Sequence, residues 1–134
     1  MNVFVIRSPY CYLNAIEFKK KYNLEDKSCI LLIGYLAVDS IDIQHFEKIV
    51  DVHDWQSVVY YPQNASVAFE EDSLESKRLF RFPGNKILFL QKYVKRINCA
   101  LPPKQSVKRV ILQNIDDYSF LHVANRLEPK TLYC

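Results

Sequence analysis

Glycine is nearly missing from this chain: its 134 residues hold only Gly34 and Gly84. Neither stands in a GxGxxG or GxxxxGK[ST] pattern, so no glycine loop brings a phosphate against the backbone, which argues against fingerprint-type dinucleotide binding and P-loop hydrolysis. Cysteine is sparse and scattered. Cys11, Cys29, Cys99 and Cys134 form neither a CxxC pair nor a Cys/His ligand spacing, so no metal and no redox cofactor is expected. Free thiols of a reducing compartment are the expected state. Long apolar runs are absent too: none approaches the ~20 residues that span a bilayer, and the chain opens on a strand instead of a basic and then apolar leader. The expectation is a cytoplasmic protein that meets a membrane only at its surface. Charge of one sign is also lacking. Eighteen Lys and Arg stand against fifteen Asp and Glu, a net of +3, and the scattered basic residues make no case for a nucleic-acid partner. The basic run Lys19 to Lys21 closes a helix, where cations sit well against the dipole, and reads as a solvated face.

What remains is a globular composition, 49% hydrophobic and 25% charged, long enough for one core and too short for two ordinary domains. Residues 1–134 therefore read as a single domain. Val3 to Ile6 is a first strand that meets Ser8-Pro9 and turns into a helix reaching about Tyr22, with Leu13, Ile16 and Lys20 beside Tyr12 and Lys19 at helical spacing and Asn23 as its stop. Ser28 to Leu36 is a nearly unbroken apolar run, as in a strand covered on both faces of a parallel sheet. Asp39-Ser40 offers cap chemistry for a helix carrying Ile43, Phe46, Ile49 and Val50 on one side. Trp55 to Tyr61 is a third strand, rich in β-branched and aromatic residues.

Beyond it the pattern weakens, from Ala65 to Asn85, into a short helix plus an excursion. Leu90, Val94, Ile97 and Leu101 mark a long helix stopped by Pro102-Pro103. Val107 to Leu112 is a fourth strand. A helix with Phe120, Leu121, Ala124 and Leu127 facing inward follows, ended by Pro129, and Lys130 to Cys134 is a fifth strand. Alternating strands and helices require parallel pairing through right-handed crossovers. The fold class expected is α/β, a three-layer Rossmann-like domain with a mainly parallel five-stranded sheet in the order 3-2-1-4-5. Ending on a strand, with no helix to cover it, the chain reads as the first domain of a longer protein or a natural truncation.

The order places the turns after the first and fourth strands side by side, at the topological switch point where such sheets bind ligands. Ser8 is either a polar ligand contact there or the cap of the first helix. Asn14, one turn inside that helix, faces either the same crevice or water. Asn114 and Asp116-Asp117 occupy the turn of the fourth strand. His45, His53 and His122 belong to no nucleophile arrangement, and Glu70-Glu71-Asp72 reads as solvated surface more readily than as an acid/base cluster. Tyr60, Tyr61, Phe80 and Phe82 serve either core packing or the pairing of subunits in a homodimer.

Two segments carry a family resemblance. Ser8-Pro9 followed by Leu13-Asn14-Ala15-Ile16-Glu17 resembles the [ST]-P turn and L-N-A-[IL]-E helix that open bacterial sialyltransferases of the glycosyltransferase family 52 and polysialyltransferase type. Val110, Ile111, Asn114, Ala124, Asn125, Leu127, Pro129 and Lys130 resemble their V-I-x-G-N turn and A-N-x-[LI]-x-P-K helix end. Gln113 departs from the glycine of that turn, which puts a close backbone approach in doubt.

The resemblance implies the N-terminal, acceptor-side half of a two-domain GT-B enzyme working without metal. Its acceptor would be a cell-surface glycan of lipooligosaccharide or capsule, its donor a CMP-sugar, and its place the inner face of the membrane. Ser8, Pro9, Asn14 and Asn114 would line the acceptor cleft. The general base and the CMP site of such enzymes fall beyond these residues, so no catalytic residue and no activity is expected from residues 1–134 alone. Two alternatives stand beside it: a stand-alone, non-catalytic α/β binding or interaction module, and a flavodoxin-like regulator holding a metal at Asp116 and Asp117.

Overall fold

The computed structural model describes residues 1–35, 41–62, 91, 94–95, 98–99, 101–103, 106–112 and 118–134, with the backbone alone described at 41, 42, 62, 118 and 119. Five strands form one sheet: β1 (Asn2–Ile6), β2 (Cys29–Tyr35), β3 (Ser57–Pro62), β4 (Arg109–Leu112) and β5 (Thr131–Tyr133). Their order is β3-β2-β1-β4-β5 and every pairing is parallel, the Rossmann-like α/β arrangement read from the alternating pattern. Every residue of β1 and β2 is buried, which is why those two segments read as continuous apolar runs.

Alternation along the strands divides the core in two. Phe4, Ile6, Leu31 and Ile33 turn to the face carrying α1 (Pro9–Lys21) and α2 (Ile41–Ile49), where Ala15, Phe46 and Trp55 join them. Val3, Val5, Ile30, Leu32 and Val110 turn to the face carrying α3 (Tyr118–Leu127) and meet Phe120, Val123 and Leu127 there. Register fixes the layers: Phe4 lies between Leu31 and Ile111, and Val3 between Ile30 and Val110.

Helix α1 is bounded by chemistry at both ends. Ser8 is its N-cap, with Pro9 at the first helical position. At the other end Asn23 takes a left-handed φ of 46°. The Asn23 amide donates to the Lys20 carbonyl at 3.2 Å and the Leu24 amide to Lys19 at 3.0 Å, the paired C-terminal closure that glycine or asparagine permits.

Several expectations shift in detail. The buried stripe of α1 is Cys11, Tyr12, Ala15 and Lys19; Leu13 is 60% exposed. In α3 Val123 is fully buried alongside Phe120 and Leu127, while Leu121 is 40% exposed, because positions three and four apart from Phe120 and Leu127 share their face. Trp55 precedes β3 and packs edge-to-face on Phe4 with ring centroids 5.3 Å apart. Tyr61 is buried in the core and Tyr60 half-buried, with the Tyr60 phenol pKa raised by burial and then by Glu47. Helical residues at 91, 94–95 and 98–99 fall within the long helix expected there. Phe80, Phe82 and Glu70-Glu71-Asp72 lie outside the described residues.

Lys19 is the plain correction. It is 6% exposed and not a solvated cation: its Nζ pairs with Asp26 Oδ1 at 2.8 Å, donates to the Asp54 carbonyl and lies 4.2 Å from the centre of the Trp55 ring. The helix runs antiparallel to the strands, so its carboxyl end lies at their amino ends, and one ammonium there ties α1 to the two 3-10 turns Asp26–Ser28 and Val52–Asp54 that lead into β2 and β3. Asn2 extends this polar edge: its side chain donates to the Ser28 carbonyl and accepts from Arg109 Nη1, both at 3.4 Å.

Candidate functional site

Parallel strands place the turns that follow them on one edge, and the pairing of Val5 with Leu112 puts the carboxyl ends of β1 and β4 next to each other. A cavity of about 470 Å³ opens there, on the α1 side of the sheet. Phe4, Val5 and Ile6 of β1 with Ile111 and Leu112 of β4 form its floor. Tyr10, Cys11, Asn14, Ala15 and Phe18 of α1 form one wall, Tyr133 and Cys134 the other. Its volume falls within the roughly 300–1,000 Å³ of small-molecule sites.

The slot lies between α1 and the β4–β5 side of the sheet. Phe18 bridges the gap lower down, meeting Tyr133 edge-to-face at 5.1 Å and Phe4 at 5.8 Å. Helical spacing of four and three places Cys11, Ala15 and Phe18 on that wall. Asn14 and Tyr10, both exposed, stand at the rim. Among the described residues, none of the lining side chains is a carboxylate, a lysine, an arginine or a histidine.

Of the described residues singled out by sequence, the cavity takes one. Asn14 lines it from the exposed rim, with both crevice and water before it. Ser8 is occupied instead as a cap: its Oγ accepts from the Cys11 amide at 3.4 Å and donates to the Cys11 Sγ at 3.0 Å. Pro9 starts the helix, and neither Ser8 nor Pro9 lines the cavity. Asn114, Asp116 and Asp117 lie outside the described residues. Tyr10, Cys11, Phe18 and Tyr133 are the site residues that sequence reasoning missed; the four-and-three spacing of Cys11, Ala15 and Phe18 was the signal available for the wall.

The remaining polar groups sit elsewhere. His122 Nε2 is 3.2 Å from Asn98 Oδ1 on the α3 side, its pKa lowered by burial and then by Arg126. His45 and His53 are exposed. All four cysteines are free thiols, Cys11 and Cys29 buried, Cys99 and Cys134 exposed. Among the described residues no group of His, Cys, Asp and Glu could hold a metal ion, and no helix is long and apolar enough to cross a membrane.

Fold and cavity together define a Rossmann-like domain with a crevice at its topological switch point. Set against known proteins, the chain matches no family model, no curated protein and no solved structure. The resemblance to sialyltransferases therefore gains no support from them.

Proposed function

We propose that the chain is a ligand-binding Rossmann-like domain and, in the specific form its sequence suggests, the acceptor-side half of a sialyltransferase-like glycosyltransferase. The observation that carries this reading is Asn14: the asparagine of the L-N-A-I-E helix stands on the rim of a cavity at the carboxyl edge of a 3-2-1-4-5 sheet. Its carboxamide offers both a donor and an acceptor to a glycan hydroxyl. A base for that hydroxyl and a cation for the donor phosphate are required for transfer, and among the described residues neither type of group lines the cavity. On this reading the chain alone binds the acceptor, and the groups for transfer come from elsewhere.

Incubation with CMP-sialic acid and a lipooligosaccharide-derived glycan is expected to give no sialylated product. Calorimetry with the glycan is expected to show saturable binding that Asn14→Ala weakens. Robust turnover, or glycan binding indifferent to that substitution, would contradict the reading.

A specific observation favours the second reading, a non-catalytic binding module. The cavity is lined mainly by aliphatic and aromatic side chains, whereas a sugar, dense in hydroxyls, needs polar partners for each one it buries. The two readings part on what the slot itself holds.

A further inference from the structure

We propose that the slot between α1 and β5 takes the uncharged aromatic ring of a small molecule, whose polar substituent meets the Asn14 carboxamide at the rim. This rests on the cavity as a binding site and not on glycosyl transfer.

Three observations converge on that occupant. Phe4, Ala15 and Ile111 are apolar, and among the described residues no lining side chain carries charge, so a phosphate or carboxylate beside them would lose its hydration without a counter-charge from these side chains. Phe4, Phe18 and Tyr133 form an edge-to-face series with ring centroids 5.1 and 5.8 Å apart. A further planar ring entering beside them finds the ring edges and faces that aromatic pairs prefer, which a linear acyl chain does not use. Finally the slot is bounded on two sides and holds about 470 Å³, the scale of a fused ring system and unlike a flat face awaiting another protein. Asn14 and Tyr10 supply the few polar groups such sites use to orient a ligand.

The neutral naphthalene dye prodan tests this on the full chain. Its emission is expected to shift to the blue and saturate at one equivalent, and naphthol should displace it better than decanoate. Ala15→Leu fills the slot from the helix side and should weaken the dye by about tenfold or more with the far-ultraviolet circular dichroism unchanged. Asn14→Ala, on an exposed position, should weaken prodan about fivefold through its carbonyl while leaving plain naphthalene unchanged. That variant decides the matter if Ala15→Leu does not fold.

Unsaturable partitioning, equal binding by a folded Ala15→Leu protein, stronger displacement by decanoate, or indifference of prodan to Asn14→Ala would each overturn the proposal. Dye binding without glycan binding removes the sialyltransferase reading and leaves this one standing. Glycan binding without dye binding does the reverse.

Discussion

The two ends of α1 are built on opposite principles. At its carboxyl end, over the amino edge of the sheet, a buried ammonium is held by a carboxylate, a backbone carbonyl and an indole face at once. At its amino end, over the carboxyl edge, no lining side chain among the described residues is charged and a mainly apolar slot lies beside the helix. A buried charge is tolerated only where every partner is fixed, so the first end is a lock. An unfilled apolar cavity forgoes packing contacts that a stability-driven core would make, so the second end is where binding has a place. The contrast favours, for the binding proposed above, the edge where parallel sheets keep their ligands.

Phe4 touches both ends, lining the slot and packing on Trp55. Phe4→Ala is expected to cost about 3–5 kcal/mol in urea unfolding and to abolish ligand binding as well, the largest effect in the set. Lys19→Ala should cost about 2–3 kcal/mol, from the lost carbonyl bond, ring contact and ion pair, the last discounted because Asp26 is 54% exposed. Lys19→Met, which keeps the stem against Trp55, should recover about half of that, and neither should change the affinity for an aromatic ligand. A shift in that affinity would break the contrast by showing that the lock and the slot are coupled.

Ser8→Ala removes a cap at the binding end and should cost about 1 kcal/mol in the same measurement. Ligand affinity should stay as it is, since Ser8 does not line the cavity.

The smallest effect belongs to His122, on the opposite face. Its folded pKa is lowered below the ordinary 6.5, so as pH falls the unfolded chain takes up the proton first. The stability this contributes is present above pH 6.5 and is lost as pH falls through the lowered value, by well under about 1 kcal/mol for a half-exposed ring. His122→Asn should flatten that slope in denaturation curves taken between pH 7 and pH 5, around the ordinary value of 6.5.

The sheet was legible because its signals are local. Ser28 to Leu36 reads as a doubly covered strand from composition alone, and Cys29 to Tyr35 forms it, while alternation with helices leaves the parallel order 3-2-1-4-5 as the expected solution. The faces of the helices were less legible. In α1 the apolar Leu13 points outward while Lys19 goes in, because an exposed leucine costs little and a lysine stem can be buried once its charge is matched. That match comes from Asp26 and Asp54, seven and thirty-five residues further on, which no local pattern contains.

The candidate cavity was legible only in part. Topology pointed to the carboxyl edge of β1 and β4, and Asn14 is there, but Ser8 was spent on capping. Tyr133, more than a hundred residues from Phe18, enters the wall through tertiary packing alone.

Amide NMR spectra recorded while naphthol is added test the claim most directly. Residues 4–6, 10–18, 111–112 and 133–134 should shift together and saturate, while residues 19–28 and 52–56 at the locked end stay still. Shifts centred on the locked end, or spread over the chain without saturation, would contradict the assignment of binding to the open edge.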